Sequence, residues 1–222
     1  VSLRGSRFLG SAYPLPLVMK TATIPGPAGA LQILVEQPDA EPLALAVICH
    51  PHPLHGGSLS NKIVHQLART FAGMGAISVR FNFRGVGDSG GEYDEGRGEL
   101  DDLFAVVAWA SQRWPGLPLW LGGFSFGGFI AVQAAAELGP RRLVVVAPAV
   151  NYFPDQAVGL PDTDWLLIHG DGDDVVPLPK VQAWELQLNT PPVLKIISGA
   201  GHFFHGRLNE LKQAIVDHYA ET

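Results

Sequence analysis

Cysteine, long apolar runs and clusters of basic residues are all scarce in this sequence. The 222 residues include a single cysteine, Cys49, which cannot form a disulfide within the chain. A lack of disulfides is typical of a reducing compartment, so we expect a cytoplasmic location. No stretch approaches the roughly 20 consecutive apolar residues of a transmembrane helix, and no membrane partner is expected.

The shortage of basic clusters excludes a further class of partner. Lysine and arginine total 15 against 21 aspartates and glutamates, which gives a net charge of −6. A nucleic-acid-binding surface needs a basic patch, so the sequence predicts no nucleic-acid partner. Hydrophobic residues make up 47% of the chain and charged residues 16%, as in an ordinary folded α/β protein. The chain is long enough to bury one continuous core.

The N-terminal residues differ from the rest of the chain. Arg4 and Arg7 precede a partly apolar segment that Pro14 and Pro16 interrupt. A signal peptide would have a longer uninterrupted apolar core and a cleavage site with small residues. We therefore interpret residues 1–18 as a poorly ordered arm or extension, and residues 19–222 as a single domain.

Strand-like and helix-like segments alternate from Leu31 onward. Continuous apolar runs are typical of strands that are covered on both faces. Helical periodicity follows the N-cap candidate Asn61 and recurs at residues 100–108, 129–138, 181–188 and 208–219. The pattern predicts a doubly wound, mostly parallel sheet with helices on both faces and a site at the carboxyl ends of its strands. Strands are expected at residues 31–37, 43–50, 76–81, 117–122, 143–147, 164–169 and 192–197, with 18–24 as a candidate edge strand.

Two Gly-x-Ser-x-Gly motifs are present. The one at residues 123–127 joins a strand-like run to an alanine-rich helical run. This is the context of a nucleophile elbow, a strained turn that presents a serine at the N-terminus of a helix. The other, at residues 87–91, leads into Glu92 and no helix, so we interpret Ser89 as part of a surface loop. The context favours Ser125 as a nucleophile.

A serine needs a base to take its proton and an acid to orient that base. His202 follows the last expected strand in a loop of small residues, which makes it the candidate base. His205, three residues later, is the fallback. His218 falls within the last amphipathic helix, where we expect a solvated position.

The acid should follow the strand at residues 164–169. Three aspartates, Asp171, Asp173 and Asp174, lie in the loop after it, and their spacing alone does not decide which of them is the acid. An oxyanion hole needs the N–H of Phe126 and a second N–H from the loop after residues 43–50. In that loop His52 stands between two prolines, which have no N–H, so His52 is the candidate second donor.

Together these motifs resemble the small, lidless bacterial serine hydrolases related to the dienelactone hydrolases, within the α/β-hydrolase superfamily. The resemblance spans residues 33–219 and implies a triad of Ser125, Asp173 and His202. It further implies an oxyanion hole formed by the N–H groups of His52 and Phe126. Dienelactone hydrolases themselves use a cysteine nucleophile, so lactone specificity does not carry over. The matching segments are residues 50–57, 61–62, 80–89, 123–127, 169–177 and 201–204.

We expect a serine hydrolase that cleaves small-molecule carboxylic esters through an acyl-enzyme, without a cofactor or metal. Acyl transfer and thioester hydrolysis would use the same triad. A metal-dependent hydrolase is a further alternative, because His50-x-His52-x-x-His55 loosely resembles a zinc motif. A non-catalytic binding protein on the same fold is the last alternative.

About sixteen residues separate the strands near residues 147 and 164, too few for a lid, so we expect short-chain esters as substrates.

Overall fold

The structure of the chain is a computed structural model that describes residues 20–38, 40–152 and 163–220. The predicted arm at residues 1–18 lies outside these ranges. Residues 153–162, in the connection predicted to be too short for a lid, also lie outside them.

Within the described ranges, the strands form one sheet in the order β1-β2-β4-β3-β5-β6-β7-β8. Strand β2 pairs antiparallel with β1 and β4, whereas the other neighbouring strands pair in parallel. The prediction of a mostly parallel sheet with an edge strand is thus confirmed. The strands are β1 (Lys20–Gly26), β2 (Gly29–Glu36), β3 (Ala44–Cys49), β4 (Ala76–Phe81), β5 (Leu119–Phe124), β6 (Arg142–Val146), β7 (Asp164–Gly170) and β8 (Val193–Ile197).

Helices cover both faces of the sheet. Helices α1 (Lys62–Gly73) and α5 (Leu208–Ala220) pack on one face, and α2 (Arg97–Arg113), α3 (Phe126–Leu138) and α4 (Leu178–Glu185) on the other. Two 3-10 turns, Pro53–His55 and Val150–Tyr152, add to these helices. Along β3, alternate side chains enter the two cores, which explains why a strand covered on both faces is continuously apolar.

The N-cap predicted at Asn61 is confirmed. Asn61 caps α1, where its Oδ1 accepts hydrogen bonds from the N–H groups of Ile63 and Val64 at 2.9 and 3.4 Å. Cys49 is fully buried, and burial raises the pKa of its thiol. None of the helices in the described part of the chain combines the length and apolar character needed to span a bilayer.

Several element boundaries differ from the prediction, and two of them have a clear physical reason. Strand β5 runs to Phe124 rather than ending at residue 122, because Gly122 and Gly123 continue the parallel ladder opposite Ile48 and Cys49. Helix α4 begins three residues earlier than its apolar pattern predicts. Pro177 is its N-cap, and a proline is compatible with a helix start because no intrahelical N–H bond is made there.

The expectation that His218 is solvated is wrong. Its Nε2 lies 3.0 Å from Oδ1 of Asp164, and its side chain is only 14% exposed. Helix α5 packs against β7, so a residue on its polar face reaches the first residue of that strand. His218 therefore has a structural contact far from the candidate site loops.

Candidate active site

Ser125 occupies a tight turn between β5 and α3. Its φ of 54° and ψ of −119° are values that non-glycine residues rarely adopt, and such strain is typical of a functional position. The neighbouring glycines permit the turn. A Cβ on Gly123 would collide with the carbonyl of Gly127, and a Cβ on Gly127 would collide with the backbone of His50. The motif therefore presents Ser125 at the N-terminus of α3.

The three residues predicted to form a triad lie together in the structure. Nε2 of His202 is 3.1 Å from Oγ of Ser125, and Nδ1 of His202 is 2.8 Å from Oδ2 of Asp173. With Nδ1–H donating to the carboxylate, Nε2 is left with a lone pair that can take the serine proton. All three residues are buried, with Ser125 the most exposed at 9%. This arrangement can activate a hydroxyl for nucleophilic attack.

Asp173 is held as a carboxylate. Its Oδ1 accepts hydrogen bonds from the N–H groups of Val175 and Val176 at 2.9 and 2.7 Å. Burial alone would raise the pKa of Asp173, but the hydrogen bond from His202 and the one from Val176, with the charge of the histidines, outweigh it. The pKa of Asp173 therefore lies below its ordinary value, and the side chain stays ionised beside His202.

The other two aspartates of the loop occupy different positions. Asp171 accepts a hydrogen bond from the N–H of Gly199 at 2.6 Å and one from Oγ of Ser198 at 3.1 Å. It thereby ties the acid loop to the loop that carries His202. Asp174 is exposed to solvent. Of the three carboxylates, the one that the resemblance implied is the one that contacts His202.

His169, at the end of β7, contacts the acid loop and was not identified from the sequence as a candidate site residue. It is fully buried, its Nε2 lies 2.8 Å from the carbonyl oxygen of Val176, and the same atom is 3.5 Å from Oδ2 of Asp173. Burial lowers the pKa of His169, although the hydrogen bond to Val176 and the charge of Asp173 act in the opposite direction. A histidine inside an apolar strand, four residues before the acid, is the signal that could have identified it.

His50 has a structural role that conflicts with the metal alternative. Its Nδ1 donates to the carbonyl oxygen of Pro51 at 2.6 Å, and its Nε2 accepts from the N–H of Phe83 at 3.0 Å. Burial lowers the pKa of His50 to about 4. Both ring nitrogens are engaged, so neither has a lone pair to offer a metal. In the described ranges, no group of three or more histidine, cysteine, aspartate or glutamate side chains is arranged to hold a metal ion.

The loop that carries His52 packs against the start of α3. The His52 ring lies 5.0 Å from the Phe126 ring, and its Nε2 is 3.2 Å from the hydroxyl of Tyr93. Nδ1 of His52 accepts from the N–H of Leu54 at 3.2 Å, which fixes the ring within its own loop. Phe126 is the first residue of α3, where a backbone N–H has no intrahelical acceptor. The assignment of these two N–H groups to an oxyanion hole stays a prediction.

The second Gly-x-Ser-x-Gly serine and the fallback histidine have other contacts. Oγ of Ser89 donates to the carbonyl oxygen of Asn82 at 2.7 Å and accepts from the N–H of Gln32 at 2.9 Å. These bonds make Ser89 part of a structural loop, and with only 8% of the residue exposed it is buried there rather than at the surface as predicted. His205 is exposed, and its ring packs on Phe203 at a centroid distance of 5.9 Å.

Known proteins are similar to this chain in sequence and architecture. Residues 41–162 match the model of the family described as serine aminopeptidase, S33. An uncharacterized protein of Rickettsia prowazekii is 32% identical over 212 residues, which cover 87% of this chain and 85% of that protein. Solved structures of other proteins also match this chain.

An α/β serine hydrolase homologue from Coxiella burnetii matches with a TM-score of 0.87 and 42% identity, over 93% of this chain and 99% of that chain. A lidless α/β serine hydrolase from Xanthomonas campestris matches with a TM-score of 0.88 and 37% identity, over 96% of this chain and 97% of that chain. The more specific relation to dienelactone hydrolases stays a prediction. The chain belongs to the α/β-hydrolase superfamily, in the family described as serine aminopeptidase, S33.

Proposed function

We propose that this serine hydrolase cleaves small carboxylic esters through an acyl-enzyme formed on Ser125. The observation that supports the proposal most directly is the continuous hydrogen-bonded line from Asp173 through His202 to Ser125, with distances of 2.8 and 3.1 Å. A strained serine with an adjacent base is the arrangement that acyl transfer needs. Membership of a hydrolase family supports the same conclusion.

In the first half of the reaction, Oγ of Ser125 attacks the ester carbonyl carbon while Nε2 of His202 takes the hydroxyl proton. The carboxylate of Asp173 stabilises the imidazolium that forms. The carbonyl oxygen becomes an oxyanion, which the N–H groups of Phe126 and His52 would bind. When the tetrahedral intermediate collapses, the alcohol leaves with the proton from His202, and the acyl group stays on Ser125.

In the second half, a water molecule replaces the alcohol. His202 takes a proton from the water, and the hydroxide attacks the acyl carbonyl. Collapse of the second intermediate releases the carboxylic acid and returns the proton to Oγ of Ser125. Acyl transfer would use another acceptor in place of water, and thioester hydrolysis a thiol leaving group, with the same residues in the same roles.

The test compares Ser125→Ala with Ser89→Ala, a serine in the second copy of the motif. Turnover of short-chain 4-nitrophenyl esters should fall by roughly 10³-fold or more in Ser125→Ala and stay near wild type in Ser89→Ala. A serine-directed fluorophosphonate should label Ser125, as located by peptide mass spectrometry. Full activity in Ser125→Ala would overturn the role of Ser125. Faster cleavage of amino-acid anilides than of esters would overturn the ester proposal and favour an aminopeptidase.

A further inference from the structure

A cavity of about 450 Å³ lies next to the candidate active site, between the start of α1 and the loop that follows His202. Its volume is within the range of small-molecule sites. Phe203 forms a wall that the cavity shares with the active site, since its ring is 5.2 Å from the His202 ring and 6.4 Å from the Phe124 ring. A molecule in this cavity would therefore be separated from His202 by the Phe203 ring.

The lining of the cavity combines apolar walls with one cation. Ile63, Phe203, Phe204 and Leu208 supply the apolar surface. Lys62 supplies the charge. Among the described residues that line the cavity there is no aspartate or glutamate, although the chain has 21 acidic residues in all. In the described part of the chain, the Lys62 side chain forms no ion pair or hydrogen bond, so its charge is available to a ligand.

The position of Lys62 is not explained by helix stability. It is the first residue of α1, where the helix dipole disfavours a cation and favours an acidic residue. Asn61 already caps the N–H groups of Ile63 and Val64, so these amides are not the donors of an anion site. A residue that opposes a local rule beside a cavity is expected to serve function.

The chemistry of the active site decides which part of a substrate reaches the cavity. His202 must give its proton to the leaving oxygen, so the alcohol portion of an ester lies on the His202 side of Ser125. Phe203, directly after His202, is 52% exposed and forms the border of the cavity on that side. The border of the cavity thus lies on the side of Ser125 where we expect the leaving alcohol, rather than the acyl group.

We propose that the cavity binds the alcohol portion of the ester, and that this portion carries an anionic group, a carboxylate or a phosphate, that contacts Lys62. The inference rests on the proposed ester hydrolysis and adds a substrate class to it. The apolar walls suit a compact ring or short chain between the ester oxygen and the anion. Because Lys62 is exposed, the contact is screened by salt and its effect is moderate.

The test uses acetate esters that differ in the alcohol. These are 4-acetoxybenzoate, 4-acetoxyphenyl phosphate and the neutral methyl 4-acetoxybenzoate, each followed by acetate release. In Lys62→Met we expect kcat/KM to fall about fivefold for the two anionic esters and to change less than about twofold for the neutral one. Lys62→Arg should keep the wild-type ratio of kcat/KM between the anionic esters and the neutral ester. Lys212→Met, an exposed lysine on α5, is the matched control. Each ester is compared with itself across variants, so leaving-group reactivity cancels.

The outcomes separate this inference from the proposed function. If wild type cleaves the neutral ester and Lys62→Met loses no anion preference, the inference fails and ester hydrolysis stands. The same conclusion follows if Lys62 acts on esters with the charge in the acyl group, tested with phenyl glutarate against phenyl pentanoate. A response to only one of carboxylate and phosphate identifies the anion. If no ester is cleaved and a fluorophosphonate leaves Ser125 unlabelled, the proposed function fails and the cavity assignment fails with it.

Discussion

Nε2 of His169 donates a hydrogen bond of 2.8 Å to the carbonyl oxygen of Val176. The N–H of Val176 in turn donates to Oδ1 of Asp173 at 2.7 Å. His169 thus holds Val176, the residue whose N–H holds the acid, and its Nε2 also lies 3.5 Å from Oδ2 of Asp173. From this relationship we expect His169 to be a positioning residue, which affects catalysis through the orientation of Asp173.

Replacing His169 should therefore change turnover more than binding. In His169→Leu the donor to Val176 is lost, and we expect kcat to fall about tenfold or more with KM nearly unchanged. His169→Gln keeps an N–H near the position of Nε2 and should recover much of the rate. Steady-state kinetics on a 4-nitrophenyl ester, with circular dichroism to verify folding, provides the measurement. Equal kcat in the Leu and Gln variants would contradict a positioning role.

The three aspartates of the acid loop should respond differently to conversion to asparagine. Asp173→Asn should lose about 10³-fold or more in kcat, because an amide cannot both orient the imidazole and stabilise its cation. Asp174→Asn should retain activity, since that side chain is exposed. Asp171→Asn should also remain active, with some loss of stability from the contacts with Ser198 and Gly199. If Asp174→Asn were inactive and Asp173→Asn active, then Asp174 rather than Asp173 would be the acid that orients His202.

The site residues differed in how far the sequence could identify them. The sequence alone identified Ser125, because a Gly-x-Ser-x-Gly motif between a strand-like and a helix-like run has a local signature. The sequence also identified His202, from its place after the serine and the acid along the chain and from its loop of small residues. Asp173 could be separated from Asp171 and Asp174 only by resemblance, because its distinguishing feature is a pair of backbone N–H donors that depend on the fold.

Contacts between distant segments were beyond the reach of sequence patterns. His218 pairs with Asp164, 54 residues away, because α5 packs along β7. The cavity beside His202 likewise exists only where residues 56–63 meet residues 203–208. Periodicity describes which face of an element is apolar, but it does not specify which other segment lies against that face.

The free energy of unfolding should decrease as the pH is lowered, because of the buried His50. Its folded-state pKa is about 4 against an ordinary value of 6.5, so between these pH values the unfolded chain binds a proton that the folded chain does not. The free energy of unfolding therefore decreases as pH falls through that window, by up to about 3 kcal/mol from this residue. Urea denaturation at pH 7, 6, 5 and 4 measures the slope.

The control for this effect removes the titrating group. In His50→Asn, which is less stable overall because it loses the bond to Phe83, the slope between pH 6.5 and 4 should be shallower than in wild type. An unchanged slope in His50→Asn would mean that other groups, among them the buried His169, dominate the acid response.

Substrate size is the last property that the chain constrains. A lid in this fold would be inserted between β6 and β7, where the sequence provides only about sixteen residues, and the lidless Xanthomonas campestris hydrolase matches 96% of this chain. Without a lid there is little apolar surface to cover a long acyl chain and no element to open at a lipid interface. We expect kcat/KM to be highest for acetyl to butyryl esters of one alcohol and to decline toward palmitoyl. Activity should also show no increase at the critical micelle concentration of the substrate. A maximum at the longest chains would instead reveal an acyl-binding groove, and variants of Phe124 and Phe203, which pack beside the active site, would then locate it.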